Sequence, residues 1–272
     1  IEQTVFTRVS DLFGLDWTVT LYDLTNTFFE GAALGNPKAQ RGHSKEKRSD
    51  CPLVTLGLVL DGSGFVRRSQ TFDGAVSEGT TLDGMLRGLG APRGALVVMD
   101  AGIATEDNIR WLRTQRYRYL VVSRERQRQF DATAATSLTT ASGEALAIQR
   151  VVDTDTEEVR LYCFSECRAG KEQGIAERFT QRFETALQAL HEGLARPRTT
   201  KQIDKLWERI GRLKAKSHGV GQHYTIEIVA DATGKLATAI RWERHPVAGT
   251  MLTHPGVYCL RTHELTWDAE RL

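Results

Sequence analysis

The stretch ALVVMDAGIATEDNI (residues 95–109) decides the fold that this sequence predicts. Residues 95–99 form an apolar run that ends in an acid, Asp100, which is typical of a buried strand in a parallel sheet. Thr105 can cap a helix over 106–115. A buried strand that leads at once into a helix predicts an α/β fold, with Asp100 near the carboxyl end of a strand.

The segments on both sides of this stretch supply the rest of a mixed sheet flanked by helices. Three upstream runs are rich in β-branched and aromatic residues and predict an antiparallel meander: WTVTLYDL (17–24), LVTLGLVL (53–60) and FVRRSQTF (65–72). A short helix over 79–90 precedes the opening stretch, and YRYLVV (117–122) follows it as a strand. This element order is that of an RNase H-like fold, in which the first and fourth strands lie side by side.

Two aspartates lie near the carboxyl ends of those neighbouring strands. Asp23 and Asp100 each follow apolar strand residues, so the fold would bring both to one point. Two ionised carboxylates at close range repel each other unless a cation joins them. Hard oxygen ligands suit Mg²⁺ or Mn²⁺, and two such ions can promote phosphoryl transfer. We therefore interpret Asp23 and Asp100 as catalytic metal ligands, although acids at strand ends are also common as plain turn formers.

The second half of the chain has a different pattern. Residues 126–150 are polar with weak periodicity, and LYCF (161–164) is a possible strand. The apolar residues of 171–194 lie on one helical face, as do those of a second helix over 199–214: Ile175, Phe179, Phe183, Leu187, Leu190 and Leu194, then Ile203, Leu206, Ile210 and Leu213. A β-hairpin (224–231 and 235–244) and a strand (255–262) follow.

These patterns predict an inserted α+β subdomain made of a helical hairpin and a small antiparallel sheet. We expect the first part of the catalytic core over 1–125, the insertion over 126–255, and a strand that returns to the core over 256–272.

Several longer segments resemble one family. YDLTNTFFEG (22–31) and GHSKEKRSDCPLVTLGLVLDGSGF (42–65) resemble the first acidic block of bacterial insertion-element DDE transposases, and VVMDAGIATEDNI (97–109) resembles the second. RIGRLKAK (209–216) and PGVYCLRT (255–262) resemble segments that lead to the third block. The resemblance implies a cut-and-paste recombinase that hydrolyses a phosphodiester at the transposon end and joins the freed 3′ hydroxyl to other DNA. It also implies two bound ions, Mg²⁺ or Mn²⁺, held by Asp23 and Asp100.

The third ligand of the family is a glutamate on a helix, with Tyr, Arg and Lys at fixed short spacings. Glu264 and Glu270 lack those neighbours, so we expect the third ligand beyond Leu272 and a fragment that is inactive alone. A chain that starts with Ile1 agrees with a fragment. Two alternatives stay open: an RNase H-like nuclease without strand transfer, and a catalytically dead DNA-binding remnant.

Two basic clusters are candidates for DNA contact. The first lies in the loop after the Asp23 strand and contains Lys38, Arg41, His43, Lys45, Lys47 and Arg48. Its match to the family block favours phosphate contact over a solvated loop. The second cluster lies on the helix over 199–214 and contains Lys201, Lys205, Arg209 and Arg212; tracking of DNA and a plain solvated face both remain open there. Thr25 and Asn26 could orient Asp23.

The composition of the chain excludes some classes of protein but does not indicate a function. The 272 residues carry 36 Lys+Arg against 34 Asp+Glu, a net charge of +2, so local clusters matter more than the total. No apolar run is long enough for a membrane span, and the four cysteines lack a CxxC pair. We expect a protein of the bacterial cytoplasm, associated with the nucleoid. Its partners would be double-stranded DNA (transposon ends and target) and a second copy in a homodimer on DNA, with no membrane.

Overall fold

A computed structural model describes residues 2–13, 19–43, 48–140 and 142–268. The chain divides into two compact units, the first formed by Ile1–Glu125, Arg150–Leu161 and Cys259–Leu272, the second by Arg126–Gln149 and Tyr162–Tyr258. The described helices and strands are α1 (Glu2–Phe13), β1 (Val19–Phe28), β2 (Leu53–Asp61), β3 (Val66–Asp73), α2 (Leu82–Leu89), β4 (Leu96–Met99), α3 (Glu106–Thr114), β5 (Arg118–Val122), β6 (Thr136–Thr139), β7 (Ala145–Asp153), β8 (Glu158–Ser165), α4 (Glu166–Gly193), α5 (Ile203–Lys216), β9 (Tyr224–Ala230), β10 (Ala237–Arg244) and β11 (Val257–Thr262).

The first unit is built on a mixed sheet. Its strand order is β3-β2-β1-β4-β5-β11, followed by β8 and β7. The meander β1-β2-β3 is antiparallel, β4 joins β1 in parallel, and β5 joins β4 in parallel. The predicted α/β class and RNase H-like strand order are thus confirmed, including the adjacency of the first and fourth strands.

Helices α2 and α3 cover one face of this sheet. Strand β2 alternates between buried and half-buried residues, as a strand with one covered face should. Its buried residue Val59 joins a core with Leu82 and Leu86 of α2 and Leu112 of α3. Complete burial of each such leucine stabilises the fold by roughly 1.5–3 kcal/mol.

The loop that follows β4 is short and well capped. The Thr105 hydroxyl accepts a hydrogen bond from the Asn108 backbone N–H at 3.2 Å, which confirms the predicted cap of α3. Because α3 begins only a few residues after Asp100, its cap also determines the path of the chain that follows this aspartate.

The second unit has the predicted helical pair and hairpin. Helices α4 and α5 and strands β9 and β10 share one core, which includes Phe183, Leu187, Leu206, Ile210, Tyr224 and Ile240. The prediction for Ile175 was wrong, because its side chain is 38% exposed and lies outside this core. Helix α4 also begins five residues earlier than the sequence predicted, at Glu166, where the Ser165 hydroxyl caps it.

Some elements were not predicted. Strands β6 and β7 pair antiparallel within residues 126–150, where the sequence showed only a polar stretch. Strand β6 has no fully buried residue, so its sequence carries no apolar alternation. The division into a core and an insertion at 125 and 255 stays a prediction, since the two units are defined by contacts alone.

Among the described residues, no helix has the length and apolar character needed to cross a membrane.

Candidate active site

Asp23 and Asp100 lie next to each other on neighbouring strands. In the parallel pairing of β1 with β4, the last register pair is Tyr22 with Met99, so the two aspartates are the next residues on each strand. Both are exposed and both line one cavity of about 410 Å³. Strand β1 continues to Phe28, so Asp23 lies in mid-strand opposite Leu58 of β2, while Asp100 directly follows its strand.

The wall of this cavity is mostly apolar. Leu56, Leu58 and Leu60 of β2 contribute to it, together with Val98 of β4 and Val122 of β5. These side chains lie on the sheet face opposite α2 and α3. The two exposed carboxylates thus lie beside an apolar surface on this face of the sheet.

Backbone groups hold the carboxylate of Asp100. Its Oδ1 accepts a hydrogen bond from the Ile103 N–H at 3.2 Å, and its backbone carbonyl accepts one from the Ala104 N–H at 3.1 Å. The tight turn after β4 therefore orients Asp100.

Tyr22, which precedes Asp23, is a site neighbour that the sequence did not reveal. Burial raises the pKa of its phenol to about 12, and the hydrogen bond with Thr81 only partly opposes this. The charges of Glu78 and Asp23 raise the pKa further. The phenol thus stays neutral and retains its proton for hydrogen bonding throughout the physiological range.

The two residues proposed to orient Asp23 lie on different faces of β1. Thr25 is two residues along the strand from Asp23, is exposed, and lines the same cavity. The Asn26 side chain instead donates a hydrogen bond to the Thr55 hydroxyl of β2 at 2.8 Å. The structure therefore brings Thr25, and not the amide of Asn26, to the cavity with the carboxylates.

The basic loop is described only in part, because Lys45 and Lys47 lie outside the described residues. Arg41 and His43 are exposed. The ammonium group of Lys38 donates to the Thr71 carbonyl at 2.5 Å. Arg48 pairs with Asp50 at 2.9 Å, and the hydrogen bond and charge of Asp50 raise the pKa of its guanidinium.

Two close backbone approaches fix the base of this loop. A Cβ on Gly42 would lie 2.0 Å from the Gly74 carbonyl oxygen, and a Cβ on Gly74 would lie 2.0 Å from the Leu53 carbonyl oxygen. Only glycine fits at these positions. The loop is thus packed against the ends of β2 and β3, and Arg41 directly precedes the closely packed Gly42.

The basic cluster of the second unit lies on an exposed helix face. Lys205, Arg209 and Arg212 of α5 are exposed, and Lys201 precedes the helix. Glu208 interacts with two of them, at 3.2 Å from Lys205 and 3.4 Å from Arg212. Exposed ion pairs of this type contribute little to stability. Lys205 and Arg212 could therefore exchange Glu208 for a phosphate with little loss of free energy.

The described residues include no group of three His, Cys, Asp or Glu side chains that could hold a metal ion. Glu264 has its carboxylate 3.9 Å from the Arg118 guanidinium and is mostly buried. Glu270 lies outside the described residues. Two carboxylates plus water are nevertheless a donor set that Mg²⁺ accepts, so Asp23 and Asp100 fit the expected cation.

A family model matches this chain, and a solved transposase structure is similar to it. The family model described as "Transposase DDE domain" matches residues 15–177, more than half of the chain. No curated protein matches the chain. Among solved structures it is similar to the piggyBac transposase synaptic complex with hairpin DNA, at 11% identity and a TM-score of 0.29. That match covers 55% of this chain and 36% of the other, so the chain spans about a third of that transposase.

Proposed function

Since the chain belongs to the transposase DDE domain family, we propose that it carries two catalytic carboxylates, Asp23 and Asp100, of an enzyme that cleaves and joins DNA. The adjacency of these carboxylates on parallel strands, in one cavity, is the observation that carries this proposal. The activity would be cut-and-paste transposition of a bacterial insertion element, on DNA of the nucleoid in the cytoplasm.

The two aspartates would hold one pair of divalent ions, Mg²⁺ or Mn²⁺. When bound, such a pair supplies an activated water and charge stabilisation for in-line displacement at phosphorus. Asp100 would keep its orientation through the Ile103 N–H, and Thr25 would offer a hydroxyl beside Asp23. The leucines of β2 would limit the access of bulk water to the reacting phosphate.

We further propose that the 272 residues alone do not cleave DNA. Within the described part of the chain no third acidic side chain completes a metal-binding group with this pair. A site with two ligands holds its ions weakly, because each missing carboxylate removes one negative charge and one or two donor oxygens. Glu264 is engaged with Arg118 and does not line the cavity.

DNA joining distinguishes transposition from the two alternatives. The protein is purified from its complete reading frame and incubated with Mg²⁺, pre-cleaved transposon ends and a target plasmid. We expect joined products, because the freed 3′ hydroxyl can attack the target. Hydrolysis without joining would instead indicate a nuclease, and DNA binding without any cleavage would indicate a catalytically dead remnant.

The exposed arginine of the basic loop should contribute to DNA affinity. We propose that Arg41, together with Lys38, His43, Lys45, Lys47 and Arg48, contacts phosphates beside the cleaved bond, and that Lys201, Lys205, Arg209 and Arg212 contact DNA farther away. For Arg41→Ala we expect weaker binding to every sequence and a salt slope shallower by about one. Fluorescence anisotropy at several salt concentrations measures both quantities.

Arg93→Ala, an exposed arginine outside both clusters, is the control for this titration. An Arg41→Ala slope equal to that of the control would show that Arg41 does not contact a phosphate. A separate titration with DNA well above its Kd gives the stoichiometry, for which we expect two chains on paired transposon ends.

A further inference from the structure

A hydrogen-bonded turn contacts both Tyr22, which precedes Asp23, and Asn108 of α3, which lies near Asp100. This turn comprises residues 77–81 and includes a short 3-10 segment, Glu78–Thr80. The buried Tyr22 hydroxyl donates to the Thr81 hydroxyl at 2.5 Å, and the Thr81 hydroxyl donates to the Glu78 carbonyl at 2.7 Å. One hydrogen bond therefore joins Tyr22, the residue next to Asp23, to the turn, and a second continues it within the turn.

The other side of the turn is tied to Asp100 through Asn108. The Asn108 side-chain amide donates to the Gly79 carbonyl at 2.8 Å and to the Ile103 carbonyl at 2.7 Å. The Ile103 N–H in turn donates to Asp100 Oδ1. One amide group on α3 thus joins the turn to the residue that holds the second carboxylate.

Packing reinforces both connections. A Cβ on Gly79 would lie 2.9 Å from the Thr105 methyl group, so the turn abuts the beginning of α3. A Cβ on Gly102 would lie 2.4 Å from a carboxylate oxygen of Glu78 and 3.3 Å from Asp100 Oδ1. A Cβ on Gly79 would displace Thr105, and one on Gly102 would displace the Glu78 carboxylate, so the turn and the loop after β4 fit against each other closely.

We propose that the turn 77–81 fixes the separation of the Asp23 and Asp100 carboxylates, with Tyr22, Thr81 and Asn108 as positioning residues. This inference rests on the proposed function, since it concerns the same two carboxylates. Two like charges at close range push each other apart, and a metal site requires its ligands within about 0.5 Å of the productive geometry. A turn bonded to both segments opposes that repulsion.

Hydrogen–deuterium exchange of the chain without DNA or metal tests the connection directly. We expect Tyr22→Phe, which removes only the hydroxyl, to accelerate exchange of the amides of residues 101–105 by about fivefold, the equilibrium equivalent of one hydrogen bond. These amides are distant from residue 22 in sequence. Asn108→Ala should accelerate the same amides more strongly, because it removes two hydrogen bonds.

Tyr117→Phe is the matched control, because Tyr117 is a buried tyrosine of the same core whose hydroxyl donates to the Ala91 carbonyl at 3.4 Å. It should leave exchange of 101–105 unchanged. Equal exchange of 101–105 in Tyr22→Phe, the control and the unmodified chain would overturn the proposal. So would an increase of the same size in both variants, since that would indicate general loosening of the core.

A second measurement concerns the metal. In the protein from the complete reading frame, Tyr22→Phe should raise the Mn²⁺ concentration for half-maximal binding, followed by electron paramagnetic resonance of free Mn²⁺, by about tenfold. Thr114→Ala, which removes a hydroxyl of α3 that donates to the Arg110 carbonyl, should not change it. Unchanged Mn²⁺ binding in Tyr22→Phe would contradict a positioning role. Neither measurement requires cleavage. A protein that fails to join DNA would refute the proposed function, while exchange and Mn²⁺ binding would still test this inference.

Discussion

We expect Asp23→Asn and Asp100→Asn each to lower the rate of DNA cleavage by about 10³-fold while DNA affinity stays within about twofold. Each change removes one negative charge and keeps the shape of the side chain. Bound ions supply several kcal/mol of stabilisation to the developing charge at phosphorus, and about 4 kcal/mol corresponds to 10³ in rate. Single-turnover cleavage of a labelled transposon end, with binding followed by anisotropy, measures the two effects separately.

Asp73→Asn is the matched control, because Asp73 is an exposed aspartate at the end of β3 that does not line the carboxylate cavity. Its cleavage rate should equal that of the unmodified protein. Neither Asp23→Asn nor Asp100→Asn should lower the thermal unfolding midpoint, since each removes a repulsion between like charges. Retention of more than a tenth of the cleavage rate in Asp23→Asn would exclude it as a metal ligand.

The sequence predicted the central sheet because its strands are either long apolar runs or clear alternations. Residues 95–99 could be placed beside β1 from strand order alone, and that placement brought Asp23 next to Asp100. Strand β6 could not be predicted in the same way, since three of its four residues are exposed and polar and none is fully buried. A strand without a buried face leaves no periodic signal, and only pairing with a neighbour reveals it.

The immediate partners of the aspartates were not predictable for a different reason. Asn108 looks like an ordinary polar residue of the first turn of α3, and Thr81 like an ordinary turn residue. Their roles depend on hydrogen bonds to Gly79 and Tyr22, which are far away in sequence. Spacing rules describe contacts within one helix or strand, so a contact between two loops lies beyond them.

The second unit contains a buried carboxylate whose loss should be costly. Glu172 of α4 is 8% exposed, and both of its oxygens are engaged. Arg128 binds it with two nitrogens, Arg168 donates to it at 2.9 Å, and the Gly256 N–H donates to it at 2.9 Å. Burial raises the pKa of this carboxyl, but the hydrogen bonds from Arg128, Gly256 and Arg168 outweigh it, and the pKa is lowered overall.

For Glu172→Gln we expect a loss of about 3–5 kcal/mol in the free energy of unfolding of the second unit, because two guanidinium groups lose their counterion and one of them is largely buried. Urea unfolding followed by the fluorescence of Trp207 and Trp242 measures this. Glu177→Gln, an exposed glutamate of the same helix, is the control and should change the free energy by less than about 0.5 kcal/mol.

The pH dependence and a double variant separate charge from packing. Because the folded pKa of Glu172 is lowered, its contribution is complete above the ordinary value of 4.5 and disappears as the pH falls through the lowered pKa. The stability difference between the unmodified chain and Glu172→Gln should therefore shrink below pH 4.5.

Replacing Arg128 and Glu172 together with Met should restore part of the stability lost in Glu172→Met, since no charge of that pair then stays buried alone. A difference that persists unchanged at low pH, or a double variant no more stable than Glu172→Met, would show that Glu172 contributes by shape and not by charge.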